Sequence, residues 1–246
     1  MIYVKLGGSL ITPKKERRRG VREEVIRNFS RDLMGLVGEF EFFLAHGAGP
    51  YGHDPVLKYG LKSGLNVSNR IGASETMTSV SELNLTVARI MVEERIPIAP
   101  FPARSMFRRY EGRISCDLNQ VRGLLKAGLV PLTHGDLIPD SERGVYVLSA
   151  DEIPLYLLDL GLKQAIFLID EPGVLDREGN LIPVFGREGL SKIRPTYMDA
   201  TGSIRGKLEA AVKLAEMGVE VRIAGYRERG DFIRALRGEW GTRVVP

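Results

Sequence analysis

Ile2-Tyr3-Val4-Lys5-Leu6-Gly7-Gly8-Ser9 sets the reading of the chain. The apolar run Ile2–Leu6 is too short for a helix of normal length and stops at a glycine pair, as a buried strand does. Glycines in that place let backbone N–H groups come close to an anion. A tight turn would use the same pair, and both readings stand here. Lys5 in the run and Lys14 a few residues on bring two positive charges to the turn.

Outward from this segment, short apolar runs alternate with helical patterns to the far end. Further strands are expected at Phe40–Ala45, Ile96–Pro100, Leu129–Thr133, Val145–Leu148, Ala165–Ile169 and Val219–Ala224. Near-continuous apolar strands belong to parallel sheets with helices on both faces. Amphipathic stripes fall on Val21–Val37, on Ser74–Glu94 and on Leu208–Ala215, and Ile153–Leu160 has a helical pattern. The alternation predicts an α/β fold, a three-layer αβα sandwich around a mostly parallel sheet. Phe101–Ser115 reads as an irregular excursion or small hairpin, and Asp176–Pro183 as a turn with a short strand.

The composition fits one large domain. There are 246 residues, 43% apolar, with 35 basic against 31 acidic side chains. So small an excess does not call for nucleic acid. The densest basic cluster, Lys14–Arg19, has no interleaved aromatics and reads as a solvated loop or one beside a polyphosphate. No run approaches the roughly 18 apolar residues of a spanning helix, so no membrane role is expected. A lone Cys116 and the absence of a secretory pattern point to the cytoplasm.

Four polar, glycine-bearing segments follow expected strands, where open α/β sheets bind ligands. The first is Lys5–Ser9. The second, His46-Gly47-Ala48-Gly49-Pro50-Tyr51-Gly52-His53, matches Gly-x-Gly-x-x-Gly. Pro50 stands where a dinucleotide-binding helix should begin, and no strand-terminal acid follows ~20 residues later, which argues against an oxidoreductase. The third comprises His134-Gly135-Asp136 and Ser149-Ala150-Asp151-Glu152; its acids position lysines, bind metal-bound water or cap helices. The fourth, Asp199–Lys207, falls one residue short of a P-loop and has Leu208 in the Ser/Thr place. Lys207 there is either a phosphate ligand or a solvated lysine.

The order of these segments resembles the amino acid kinase superfamily, and within it the isopentenyl phosphate kinase family. The segments that carry the likeness are Lys5–Ser9 with Ile11-Thr12-Pro13-Lys14, Tyr51-Gly52-His53, Ser149–Glu152, Asp199–Lys207 and Gly241-Thr242-Arg243. The resemblance implies ATP and Mg²⁺, a small anionic acceptor, and a homodimer. It also implies one domain over 1–246, with an acceptor lobe of about 1–150 and a nucleotide lobe of about 151–246. By the same resemblance His53, Lys5 and Lys14 are catalytic. Lys5, Gly7, Gly8, Ser9, Ala48, Asp170, Ser203 and Lys207 bind ATP; Gly47, Gly52, His53 and Ala150 bind the acceptor, with Asp151 in support. No protein-held metal is expected. The chain departs from the family by carrying Ala48 and Ala150 where glycines are usual, and each adds a methyl beside a phosphate position. For the isoprenoid tail, the expected apolar wall is the helix over Met77–Ile90.

Overall fold

The computed structural model describes residues 1–13, 20–191 and 203–246. The chain begins with β1 (Ile2–Leu6), α1 (Gly8–Ile11), α2 (Glu23–Met34), β2 (Phe42–His46), α3 (Pro50–Lys58), α4 (Arg70–Glu93) and β3 (Ile98–Pro100). The hairpin β4 (Phe107–Tyr110) and β5 (Arg113–Cys116) follows, then α5 (Asn119–Lys126), β6 (Val130–His134), β7 (Asp136–Asp140) and β8 (Gly144–Leu148). The last part holds β9 (Gln164–Ile169), β10 (Val184–Phe185), α6 (Ser203–Glu216), β11 (Glu220–Gly225), α7 (Asp231–Leu236) and β12 (Thr242–Val244).

Among the described residues, eight strands form the main sheet in the order β10-β12-β11-β9-β1-β2-β6-β3, parallel throughout except between β11 and β12. Alternation along β1 divides the core. Ile2, Val4 and Leu6 pack with Phe29 and Leu33 of α2, Leu83 and Val87 of α4, and Phe232 of α7. Tyr3 points the other way, into a cluster with Phe43, Phe167 and Leu208, Ala211 and Val212 of α6. Successive side chains of a strand face opposite sides, so the sheet is covered twice. The three-layer αβα sandwich expected from the sequence is the fold observed. A second sheet, β5-β4-β7-β8, lies beside it.

Leu6 is in register with His46 and with Leu168, and His46 with His134. Four parallel strands therefore end level with one another, and the polar segments that follow them share one rim.

Two local expectations change. Pro50 does begin a helix, as the first residue of α3, where its missing N–H costs nothing. Its position therefore does not argue against a dinucleotide loop, although the missing acidic residue still does. Ile153–Leu160 is not one helix but two short 3₁₀ turns, Ile153–Tyr156 and Leu158–Leu160. Pro154 sits at the start of the first, and Gly161, left-handed at φ 72°, closes the second.

Candidate active site

The strand ends surround a cleft of about 1370 Å³. On one wall stand three buried charges. Asp151 Oδ1 accepts from Lys5 Nζ at 2.6 Å and from Lys207 Nζ at 2.9 Å. Lys5 comes from central strand β1, Asp151 from the turn after β8 and Lys207 from the first part of α6. Two ammoniums on one carboxylate leave a surplus positive charge. Burial pushes the Lys5 amine down to about 7, against the pull of Asp151, and the neighbouring Lys207 lowers it further. Burial alone would raise the Asp151 carboxyl, but the two lysines outweigh it and hold the carboxyl well below the usual range.

The turn that carries Asp151 is built locally. Ser149 Oγ accepts from the Asp151 N–H at 3.2 Å, and Glu152 accepts from the Ser149 N–H at 3.2 Å. Of the readings of these acids, Asp151 follows the lysine-positioning one. The helix-cap reading does not hold, because the 3₁₀ turn that follows has no side-chain cap, and Ser149 and Glu152 close the loop itself. The Tyr3 hydroxyl donates to the Ala150 carbonyl at 2.5 Å and fixes the turn from below. Asp136 does not join them. It takes the Arg104 guanidinium and backbone N–H, at 2.9 and 3.1 Å, away from the two lysines.

A second part of the lining is made of glycines. A Cβ on Gly8 would lie 2.6 Å from the Gly49 nitrogen, and one on Gly47 would lie 2.6 Å from the Gly8 nitrogen. The loops after β1 and β2 therefore touch backbone to backbone. Gly49 also has φ +50°, which disfavours a side chain there. A Cβ on Gly52 would come 2.5 Å from the Ala48 Cβ, so the absent side chain of Gly52 makes the room that the Ala48 methyl occupies. Beyond these glycines the first turn of α3 brings exposed His53 to the cleft.

Lys5, Gly7, Gly8, Ser9, Gly47, Ala48, Gly52, His53, Ala150, Asp151, Asp170 and Lys207 all line this one cleft. Asp170 follows β9 and accepts from Ser9 Oγ at 3.2 Å. Ser203 opens α6. Lys14 lies outside the described residues. Among the described residues, no group of three His, Cys, Asp or Glu is arranged to hold a metal ion, and no helix is long and apolar enough to cross a membrane.

The apolar wall differs from the expected one. α4 gives the cleft Thr76 and Val80, while Leu83, Val87 and Ile90 pack into the core against the sheet. Other apolar lining comes from elsewhere, including Val56 on α3 and Val145 and Val147 on β8. The i, i+2 spacing on β8 is the signal that marks these two valines as sharing a face.

Sequence and structure comparisons fit this geometry. The model of the amino acid kinase family matches residues 1–225. The chain belongs to that family. It is 31% identical to the isopentenyl phosphate kinase of Methanothermobacter thermautotrophicus, over 100% of this chain and 99% of the relative. The isopentenyl phosphate kinase of Thermoplasma acidophilum is 30% identical over 87% of this chain and 86% of its own. A solved isopentenyl phosphate kinase superposes with a TM-score of 0.84 at 28% identity, covering 99% of each chain. N-acetylglutamate synthase from Neisseria gonorrhoeae, at 15% identity and a TM-score of 0.68, shares the fold alone.

Proposed function

We propose that this kinase transfers the γ-phosphoryl of ATP to isopentenyl phosphate, giving isopentenyl diphosphate and ADP. The observation that carries the reading is that His53 and the Lys5–Asp151–Lys207 cluster line one glycine-walled cleft. An oxygen of the acceptor phosphate attacks the γ-phosphorus and forms the new P–O bond. The bond to the β,γ-bridging oxygen breaks, and its electron pair leaves with ADP. A phosphate monoester has a second pKa near ~6, so the attacking oxygen needs no strong base. His53 then serves as a hydrogen-bond donor to the acceptor phosphate. Lys5 and Lys207 neutralise charge on the moving phosphoryl, which is most of what such a transfer asks of a protein.

The nucleotide lies on the side of Ser9, Asp170, Ser203 and Lys207, in a C-terminal lobe from about residue 151. The acceptor lies toward Gly47, Gly52, His53 and Ala150, its tail against Val56, Val80, Val145 and Val147. Mg²⁺ would screen the ATP phosphates, held mainly by their own oxygens, and the Asp170 carboxylate, which lines the same cleft, would be a protein candidate for it. Lys14 belongs to the same proposal, as do a cytoplasmic location and pairing into a homodimer.

The test is ATP- and Mg²⁺-dependent turnover of isopentenyl phosphate beside dimethylallyl phosphate, fosfomycin and glutamate. Diphosphate formation from the isoprenoid phosphates is expected. Turnover of fosfomycin or glutamate with silence on the isoprenoids would overturn the acceptor. His53→Ala should raise the acceptor KM by about tenfold or more, the scale of a lost hydrogen bond to a charged group, and leave the Tm of this exposed site unchanged.

A further inference from the structure

The chain has three histidines, and the mechanism above uses one. The other two, His46 and His134, are completely buried and end β2 and β6. They are partners in strand register, and their rings stack at 5.7 Å with 30° between planes. Each ring makes the same contact. His46 Nδ1 lies 3.1 Å from the carbonyl oxygen of Gly47, and His134 Nδ1 lies 2.9 Å from that of Gly135. A carbonyl only accepts, so each Nδ1 carries the proton and donates.

Burial pushes the His46 imidazole down to about 3, with His134 beside it adding to the shift, and burial takes His134 down to about 4. Both rings are thus neutral, and each Nε2 is a bare acceptor. That of His46 faces the Asn84 side-chain amide at 3.1 Å; with Nδ1 protonated, the amide must turn its NH₂ toward the ring. That of His134 has no hydrogen-bond partner among the described residues.

An orphan acceptor in a dry site works against stability. The fold therefore gains little from having an imidazole at 134 in place of an aliphatic side chain. What the imidazole alone supplies is the bond to Gly135.

Both gripped glycines are contact points of the cleft walls. Gly47 is pressed against Gly8, with 2.6 Å between its would-be Cβ and the Gly8 nitrogen. Gly135 is pressed against Ala150, with its would-be Cβ 3.2 Å from the Ala150 nitrogen, and Ala150 precedes the lysine-gathering Asp151. The Gly135 N–H also donates to the His46 carbonyl at 3.2 Å, tying the two grips together.

We propose that His46 and His134 are a pair of positioning residues, each fixing the peptide of the glycine that follows it. His46 sets the Gly47–Gly8 contact of the glycine wall. His134 sets the Gly135–Ala150 contact and, through it, the place of Asp151 between Lys5 and Lys207. Neither ring touches substrate, and neither exchanges a proton during turnover.

The kinetic part of this inference rests on the phosphotransfer reading; the structural part does not. The experiment compares His134→Leu with His134→Asn, and His46→Leu with His46→Asn, by thermal unfolding, backbone amide exchange and steady-state kinetics. Asparagine sets its amide nitrogen near the place of Nδ1 and retains the grip; leucine removes it. His134→Leu should keep Tm within a few degrees of the parent. Its amides around Gly135 and Ala150 should exchange about fivefold faster, as expected for one lost hydrogen bond. Its kcat should fall tenfold to about a hundredfold, the scale of a misplaced reactive group, with the ATP KM little changed. His46→Leu should instead raise the acceptor KM and loosen the amides around Gly47.

Each asparagine variant should recover most of the loss. Leucine variants with parental exchange at these glycines, or asparagine variants no better than leucine, would overturn the proposal. If the parent enzyme turns over no isopentenyl phosphate, the functional reading falls, and the exchange and unfolding arms still decide the role of the two rings.

Discussion

The two walls of the cleft achieve their shape by opposite means. One crowds Lys5, Asp151 and Lys207 into a dry place where each charge holds another. The other has almost no side chains, and Gly8, Gly47 and Gly49 let two loops meet backbone to backbone. The charged wall is held by attraction and costs desolvation; the glycine wall is held by close packing and costs chain entropy. Removing an atom should therefore damage the first wall, and adding one should damage the second.

The largest effect belongs to the charged wall. Asp151→Asn leaves two buried lysine amines without a counter-ion, so that Lys5, already near 7, is driven further toward its neutral form. We expect a loss of about 3–5 kcal/mol in denaturant unfolding, the scale of breaking a buried pair from one side. kcat should drop by two orders of magnitude or more, as when a preorganised charge is lost. A variant with parental stability would mean that this wall is not held by attraction.

Next comes the added methyl. Gly8→Ala must push the Gly49 backbone aside, at about 1–3 kcal/mol, and a loop displaced by ~1 Å should cost about a hundredfold in kcat. Gly123→Ala on α5 sharpens the contrast, because a Cβ there meets nothing within 4 Å. That change should stabilise by about 0.5–1 kcal/mol and leave turnover alone. Equal effects at the two glycines would remove the distinction between the walls.

Near neutral pH the smallest effect is one of protonation. Lys5 sits near 7, below its ordinary 10.5. Between those values the unfolded chain holds a proton that the native Lys5 lacks, so this group alone makes stability rise with pH across that window. ATP affinity should run the other way, falling as pH rises through about 7, and binding about one unit above that should take up close to one proton. Calorimetry in buffers of different ionisation enthalpy reads the proton count; no uptake would mean that the lysine stays charged throughout.

Much of this was legible in the sequence. Ile2–Leu6 read as a strand with the observed bounds because a short, mostly apolar run stops at a glycine pair. The strand at Asp136–Asp140 did not read as one, since Pro139 and two aspartates hide it. Ile153–Leu160 looked helical because Ile153, Leu157 and Leu160 repeat at helical spacing, whereas Pro154 and Gly161 break the run. Asp151 was visible as an acid in a turn. That its two partners would be Lys5 and Lys207 depends on sheet order, which brings the first strand and α6 to the same turn. Least legible were His46 and His134: a histidine after a strand looks alike whether it faces substrate or grips its neighbour's carbonyl.

β1 carries one further consequence. It precedes the other described strands in sequence, yet it lies in the interior of the sheet, between β2 and β9. A ribosome delivers β2 soon after it, but the other edge of β1 stays open until Gln164–Ile169 has been made. Until then Ile2, Tyr3 and Val4 present an unpaired apolar strand edge, the kind that invites pairing with another chain. The residue that anchors the charged cluster thus sits on a strand that can be completed only late in synthesis. Production of this enzyme should be more sensitive to crowding and temperature than its finished, doubly covered sheet would suggest.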